Sequence, residues 1–180
     1  NDVIDAMFRQ TKDHSTKAFK NHQVPGRIFA SEYDLGLMNS AYSDKDFINL
    51  WVSDPNKRSE WNSGHQMRND GVDIYQCNDK ITNQYYVGKT EAGEWIQYTI
   101  NAKADKIYTF DIRYSANKDS KIRIEDASGK QLAIVSLLST GGNDVWKTFI
   151  AKGISLKKGE NKIRFVFEND GVNLNYFEVK

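Results

Sequence analysis

The chain has 180 residues, of which 39% are hydrophobic and 27% charged, and its formal net charge is +1. This composition suits one sizeable folded domain and excludes a disordered chain. The scattered positive residues give no electrostatic footprint for nucleic acid, and the apolar runs are too short to cross a bilayer. We therefore expect a globular domain with neither a nucleic-acid nor a membrane partner.

Residues 1–23 differ in composition from the rest of the chain. Apolar residues at i,i+4 spacing within residues 3–8 predict a short N-terminal helical segment, and a polar, lysine-rich run follows it. We interpret residues 1–23 as a linker or as the tail of a preceding domain, and residues 24–180 as the folded module. Because the chain begins at Asn1 rather than at a methionine, we expect it to be a fragment of a longer protein.

After this segment the hydrophobic pattern has a period of two. Four apolar residues alternate with polar ones in Tyr108–Ser115, and Glu94–Ile100 alternates in the same way. Further strands are predicted at residues 121–125, 131–137, 146–151, 161–167 and 174–179. Turns rich in Gly, Asn and Asp separate them. Short strands at such regular spacing predict an all-β fold, an antiparallel β-sandwich with a jelly roll as the expected version.

The segment Leu35–Gln66 does not follow the strand pattern. It contains the aromatic residues Tyr42, Phe47, Trp51 and Trp61 within a largely polar sequence. Irregular stretches of this length are uncommon in compact domains and are usually functional. We therefore expect this segment to contribute to a binding site.

Five segments, in order along the chain, are similar to successive parts of one known family. They are PGRIFASEYD at the opening strand, NSGHQMRNDGVDI at a loop-to-strand passage, VGKTEAGEWIQYTI at a central hairpin, STGGNDVWKTF before the closing strands and GVNLNYFEV at the last strand. Through these segments, residues 24–180 resemble a family 6 carbohydrate-binding module. The resemblance implies a β-sandwich that binds glycans in its end loops and performs no chemistry.

The resemblance also implies which residues bind sugar. In this family two aromatic faces sandwich a sugar ring, and an asparagine just before the last strand bonds the hydroxyl groups. Asn173 matches that asparagine, whereas the two aromatic positions hold Met67 and Asn143. Asn143 and Asp144 follow two glycines, so they form either a plain turn or a polar part of the site. Met67 offers either a polarizable platform or core filling.

The two departures from the aromatic pattern suggest a compensation. The irregular segment runs directly into Met67, so Trp61 or Trp51 could lean over the same cleft. Both tryptophans are therefore candidate sugar-binding residues, and the alternative is that they only cover the end of the sandwich.

Other aromatic residues lie within the strand patterns. Trp95 and Trp146 are expected to pack in the core. For Tyr75, Tyr85 and Tyr86, which flank a polar insert, the sequence leaves open whether each faces the core or the cleft.

The family commonly carries a structural calcium ion, held in part by two acidic residues of the opening strand. Those positions correspond to Phe29 and Ser31 here. Calcium takes six to eight oxygen ligands from flexible loops. Acidic residues nearby that could still supply such a site are Glu32, Asp34, Asp44 and Asp46.

The sequence offers little for catalysis. Glu91 and Glu94 are three residues apart, but the second begins a strand, so they are not expected to converge on one bond as a glycosidase pair does. His65 is the single histidine after residue 23, which argues against a zinc cluster or a Ser/His/Asp set. The lone Cys77 is interpreted as a small buried hydrophobe.

These observations predict a non-catalytic module that anchors a parent glycoside hydrolase to a polysaccharide such as a β-glucan, a xylan or a related plant or algal glycan. We expect a monomer that is secreted, periplasmic or on the surface of a bacterial cell, with no required cofactor apart from one candidate calcium ion. Two alternatives stay open: a small jelly-roll glycan hydrolase or lyase, and a structural spacer whose glycan site has decayed.

Overall fold

The computed structural model describes residues 14–45 and 62–180. They form two β-sheets packed face to face, which confirms the predicted antiparallel sandwich. Within these residues the helical structure is limited to the 3-10 turn Ala30–Glu32, and no helix among them is long and apolar enough to span a membrane. The helical segment predicted at residues 3–8 lies outside the described residues.

The strands are numbered along the chain. Those of the described residues are β1 (His22–Val24), β2 (Gly26–Phe29), β3 (Tyr42–Ser43), β4 (Ile74–Gln76), β5 (Tyr85–Val87), β6 (Trp95–Ala102), β7 (Lys106–Ala116), β8 (Ser120–Asp126), β9 (Gln131–Leu137), β10 (Gly142–Leu156), β11 (Gly159–Phe167) and β12 (Val172–Val179). The first sheet has the order β1-β6-β11-β8-β9, with β3 also beside β6. The second sheet has the order β10-β7-β12-β5-β4, with β2 also beside β12. The pairing is antiparallel except between β1 and β6, which are parallel.

The strands follow the predicted alternation closely. On β7, the predicted inward residues Tyr108, Phe110, Ile112 and Tyr114 are all buried. The largest difference is β10, which is much longer than the predicted strand at 146–151 because bulges let it continue along the whole of β7.

The centre of the core is an aromatic cluster that joins the two sheets. Phe177 of β12 stacks on Phe110 of β7, with ring centroids 5.6 Å apart. From the first sheet, Tyr98 and Phe165 approach Phe177 at 4.9 and 4.7 Å. All four rings are fully buried, so this contact fixes how one sheet lies on the other.

A bulge in β12 changes which side chains point inward. Leu174 pairs with one residue of β7 and Tyr176 with the next residue along that strand, so Asn175 is an extra residue. In a regular strand, residues three apart face opposite sides of the sheet. The bulge lets Leu174 and Phe177 both point into the core. Asn173 consequently faces away from the core.

Residues 14–24 pack on the sandwich. The backbone groups of Lys17 and Leu35 exchange hydrogen bonds of 2.9 and 2.7 Å, and β1 extends the first sheet. His22 is buried against the carbonyl oxygen of Glu32 at 3.2 Å, and its burial lowers its pKa. The division of the chain at residue 23 stays a prediction.

Trp95 does not enter the core, so the expectation for this residue is wrong. Its neighbour Ile96 takes the inward position, which leaves Trp95 half-buried on the outer face of the first sheet. There the Arg164 guanidinium lies 4.1 Å from the centroid of the indole ring.

We expect Phe177→Ala to destabilise the fold by about 3–5 kcal/mol, because it removes the ring that contacts both sheets. Urea unfolding measures this change. Ile107→Ala is the control, since Ile107 is 70% exposed and its replacement should cost less than about 1 kcal/mol. Equal losses in the two variants would contradict the central role of Phe177.

Candidate functional site

Asn173 lies on the outer face of the second sheet, near the end where β12 begins. Its side-chain Nδ2 donates to Ser115 Oγ at 3.1 Å and to the Asn143 carbonyl oxygen at 3.3 Å. Both amide hydrogens are therefore used within the protein. Among the described residues no donor bonds Asn173 Oδ1, so this oxygen can accept a hydrogen bond from a ligand.

Gly88 packs closely against this oxygen. A Cβ atom at residue 88 would lie 3.0 Å from Asn173 Oδ1, 2.6 Å from Tyr86 Cε2 and 3.2 Å from Tyr75 Cδ2. An amide acceptor and two aromatic ring edges thus converge on one small volume. Any side chain larger than that of glycine would push these groups apart.

Tyr75, Tyr86 and Trp146 form a continuous aromatic row on this face. Tyr75 and Tyr86 are directly opposite each other on β4 and β5, and their rings stack at 5.4 Å with 24° between the planes. Trp146 on β10 meets Tyr86 at 5.2 Å and 67°. The two strands that lie between them contribute the short side chains of Ser115 and Asn173. All three rings are half-buried, so the expectation of a core position for Trp146 is wrong.

Polar contacts hold both ends of the aromatic row. Trp146 Nε1 donates to Asn78 Oδ1 at 2.9 Å. At the other end, Ser63 Oγ donates its hydrogen to Asp73 Oδ1 at 2.7 Å. The Tyr75 hydroxyl lies 2.6 Å from Ser63 Oγ, so it is the donor of the bond between these two hydroxyl groups. The orientation of the two outer rings is therefore set by the protein before any ligand binds.

A buried ion pair anchors the loop that carries Asn78. The Asp79 carboxylate accepts two hydrogen bonds of 2.7 Å from Arg113 on β7, and a third of 3.2 Å from Asn175 Nδ2. Burial raises the pKa of Asp79, but these bonds and the Ile81 backbone N–H outweigh it, so the net pKa is lowered. The ionised Asp79 thus ties residues 77–84 to the sheet.

The other predicted sugar-binding residues are placed unevenly. Asn143 contacts Asn173 through its backbone carbonyl oxygen only. Asp144 is exposed. The pKa of Tyr86 is raised, chiefly by burial and to a smaller extent by the charge of Asp144. Met67 is 43% exposed and lines a separate cavity of about 350 Å³ formed by residues within 62–69. The roles of these residues stay predictions. Trp51 and Trp61 lie outside the described residues.

Asp34, a candidate calcium ligand, has its carboxylate fully engaged by β6. Its Oδ1 accepts from the Thr99 backbone N–H at 2.8 Å, and its Oδ2 accepts from the Thr99 hydroxyl at 2.7 Å and from Gln97 Nε2 at 3.0 Å. These bonds give Asp34 a structural role in joining the opening segment to the first sheet.

The structure describes two of the remaining candidates, Glu32 and Asp44. Glu32 accepts a hydrogen bond from Lys20, and Asp44 is buried. No group of three or more acidic, histidine or cysteine residues within the described ranges could hold a metal ion. Asp46 lies outside those ranges, so calcium binding stays a prediction.

The sequence reasoning missed the aromatic row as a unit. One signal could have found it: Tyr75 follows Ile74, and Tyr86 precedes Val87. Adjacent strand residues face opposite sides, and the aliphatic residue of each pair is fully buried, so both tyrosines must face outward.

The sandwich is that of a carbohydrate-binding module. Residues 68–179, more than half of the chain, match the family model described as carbohydrate binding module (family 35). The chain therefore belongs to this family. No curated protein matches it.

Solved structures show the same fold. A family 6 module from Clostridium stercorarium in complex with cellobiose is 18% identical, with a TM-score of 0.62 over 89% of this chain and 97% of that chain. A β-1,3-glucan binding family 6 module from Bacillus halodurans is 19% identical, with a TM-score of 0.64 over 89% and 99%. The predicted similarity to family 6 modules is confirmed.

A third structure is a larger enzyme. The family 43 arabinoxylan arabinofuranohydrolase from Bacillus subtilis, in complex with cellotetraose, is 17% identical with a TM-score of 0.62. The match covers 89% of this chain but 28% of the enzyme. The same sandwich thus occurs as one part of a glycoside hydrolase.

We expect Asp79→Asn to destabilise the protein by about 3 kcal/mol at pH 7, because it breaks a buried ion pair. The folded pKa of Asp79 lies below its unfolded value of about 3.9, so the stabilisation is present above that pH and is lost as the pH falls through the folded pKa. The difference between wild type and variant should therefore shrink below about pH 4.

Urea unfolding measured from pH 7 to pH 3 checks this expectation. Glu160→Gln, which changes an exposed carboxylate on β11, is the control and should change stability by less than about 0.5 kcal/mol. A difference for Asp79→Asn that does not vary with pH would show that the lost ion pair is not its cause.

Proposed function

We propose that this module binds a polysaccharide without cleaving it and anchors a parent glycoside hydrolase to that substrate. The observation that carries the proposal is Asn173 Oδ1, which accepts no hydrogen bond from the described residues and lies beside Gly88 and the rings of Tyr75 and Tyr86. Sugars present hydroxyl donors around their rims and apolar C–H groups on their faces. An amide oxygen that accepts no bond from the described residues and lies beside aromatic rings is complementary to both.

The expected affinity is modest. Each aromatic face buries roughly 60 Å² of sugar, worth about 1.5 kcal/mol. Each hydrogen bond adds on the order of 1 kcal/mol, while association costs at least about 4 kcal/mol. The balance corresponds to a Kd between roughly 1 mM and tens of micromolar. Weak binding of this kind suits a module that raises the effective concentration of an attached enzyme.

The position of the acidic residues supports a non-catalytic role. Glu94 accepts backbone hydrogen bonds from Lys45 at 2.9 Å and from Glu91 at 2.8 Å, so its carboxylate caps turns of the fold. The enzyme from Bacillus subtilis, of which this sandwich covers 28%, supports the idea of a catalytic partner in the same protein. We further propose that the module is a monomer with a secreted, periplasmic or cell-surface location, where it would meet polysaccharide.

We expect the protein to bind at least one of cellohexaose, xylohexaose and laminarihexaose, as measured by isothermal titration calorimetry, and to release no new reducing ends from them. Asn173→Leu should weaken that binding about fivefold, which corresponds to one lost hydrogen bond. Asn101→Leu, on the exposed side of β6, is the matched control and should bind as the wild type does. No binding to these sugars or to mannan and galactan would refute the proposal.

We also propose that the module binds one calcium ion at a site that includes Asp46. Addition of calcium should then raise the thermal unfolding temperature above that measured in a chelator. Asp46→Asn should remove this difference, whereas Asp34→Asn should destabilise the protein in both solutions because Asp34 bonds β6. Equal unfolding temperatures with and without calcium would contradict the site.

A further inference from the structure

The two positions that carry stacking aromatics in the resembling family hold Met67 and Asn143 in this chain. Met67 lines a different cavity, and Asn143 is an exposed polar residue. The described part of the outer face nevertheless offers a row of three rings, Tyr75, Tyr86 and Trp146. We propose that this row is the surface on which an uncharged, β-linked pyranose chain stacks, an inference that rests on the proposed function.

The position of the row relative to the polar group supports this assignment. Tyr86 Cε2 and Asn173 Oδ1 lie 2.6 and 3.0 Å from one point, where a Cβ atom at residue 88 would stand, so the two groups are close neighbours. A pyranose ring that lies against the row can therefore direct a rim hydroxyl towards Asn173 Oδ1. The aromatic contact supplies the apolar area, and the amide oxygen fixes the orientation of the sugar.

The row extends across several strands, from β4 to β10. Tyr75 and Tyr86 are nearly parallel, at 24°, whereas Trp146 is turned by 67° relative to Tyr86. The row therefore offers two differently inclined surfaces, one at each end. Such a surface fits consecutive sugar residues of a twisted chain better than it fits a single monosaccharide.

Both ends of the row are held in place. The bond from Trp146 to Asn78 and the bond from Tyr75 to Ser63 restrict the two outer rings. Because the rings are already ordered, stacking a sugar on them costs little side-chain entropy. Rings that served only to fill surface space would not need such contacts at their polar edges.

The charges around the row favour an uncharged ligand. Asp79 is paired with Arg113 at 2.7 Å, and Asp73 lies 3.8 Å from Lys89. Asp144 is exposed on β10, two residues before Trp146. A uronic acid stacked on Trp146 would bring its carboxylate towards that of Asp144, and like charges repel.

The test measures binding of cellohexaose, xylohexaose and laminarihexaose by isothermal titration calorimetry. Tyr86→Ala and Trp146→Ala should each weaken binding about tenfold, the loss expected for one stacking face. Trp95→Ala is the matched control, because Trp95 is also a half-buried strand tryptophan but lies on the outer face of the other sheet. It should bind as the wild type does.

A second measurement does not depend on the stability of the variants. In the wild-type protein labelled with fluorotryptophan, addition of the same sugars should shift the fluorine resonance of Trp146 and leave that of Trp95 unchanged. Trp146→Phe and Trp95→Phe assign the two signals. An unchanged Trp146 signal with a saturating sugar would overturn the proposed stacking surface.

The outcomes separate this inference from the proposed function. If the wild type binds none of the sugars, the proposed function and the inference both fail. If it binds, but Tyr86→Ala and Trp146→Ala bind normally while Trp51→Ala, Trp61→Ala or Met67→Ala lose binding, the sugar site lies at the end loops and only the inference fails. Equal affinity for cellohexaose and the matching hexaglucuronate would refute the preference for an uncharged chain.

Discussion

The extra residue in β12 is the constraint on which both the core and the outer face depend. Without a bulge at Asn175, a strand that buries Leu174 would turn Phe177 outward. The bulge shifts the alternation by one residue, so Phe177 enters the aromatic cluster that joins the two sheets. Asn173, on the other side of the shift, keeps its side chain on the outer face. The same bulge thus places Phe177 in the core and leaves Asn173 on the outer face.

The bulge also provides the link between the sheet and the loop that covers it. Asn175 is fully buried, and its Nδ2 bonds Asp79 and Cys77 at 3.2 and 3.3 Å. Together with the ion pair to Arg113, these bonds set the position of Asn78, the residue before Asp79. The bulge residue Asn175 therefore helps to hold the loop in which Asn78 bonds Trp146 of the aromatic row.

Much of the fold could be predicted from the sequence because the pattern on strands such as β7 is governed by burial, which depends on residue type and spacing alone. The face of Trp95 could not, since Trp95 and its neighbour Ile96 compete for the inward position and packing decides between them. The face of Trp146 depends on the bulge between Gly142 and Lys147, which a local pattern does not reveal. Asn173 could be predicted as a candidate from the resemblance. The proximity of Tyr75 and Tyr86 to it depends on which strands become neighbours, which a local pattern does not contain.

The environment of Cys77 has a practical consequence. The thiol is buried, and burial raises its pKa to about 11, so very little thiolate is present at neutral pH. Because thiolate is the species that alkylating reagents and oxidants attack, the native cysteine should stay inert while the protein is folded. The folded molecule should therefore behave as a cysteine-free scaffold. A fluorophore or spin label can be attached at one new surface cysteine without first removing Cys77.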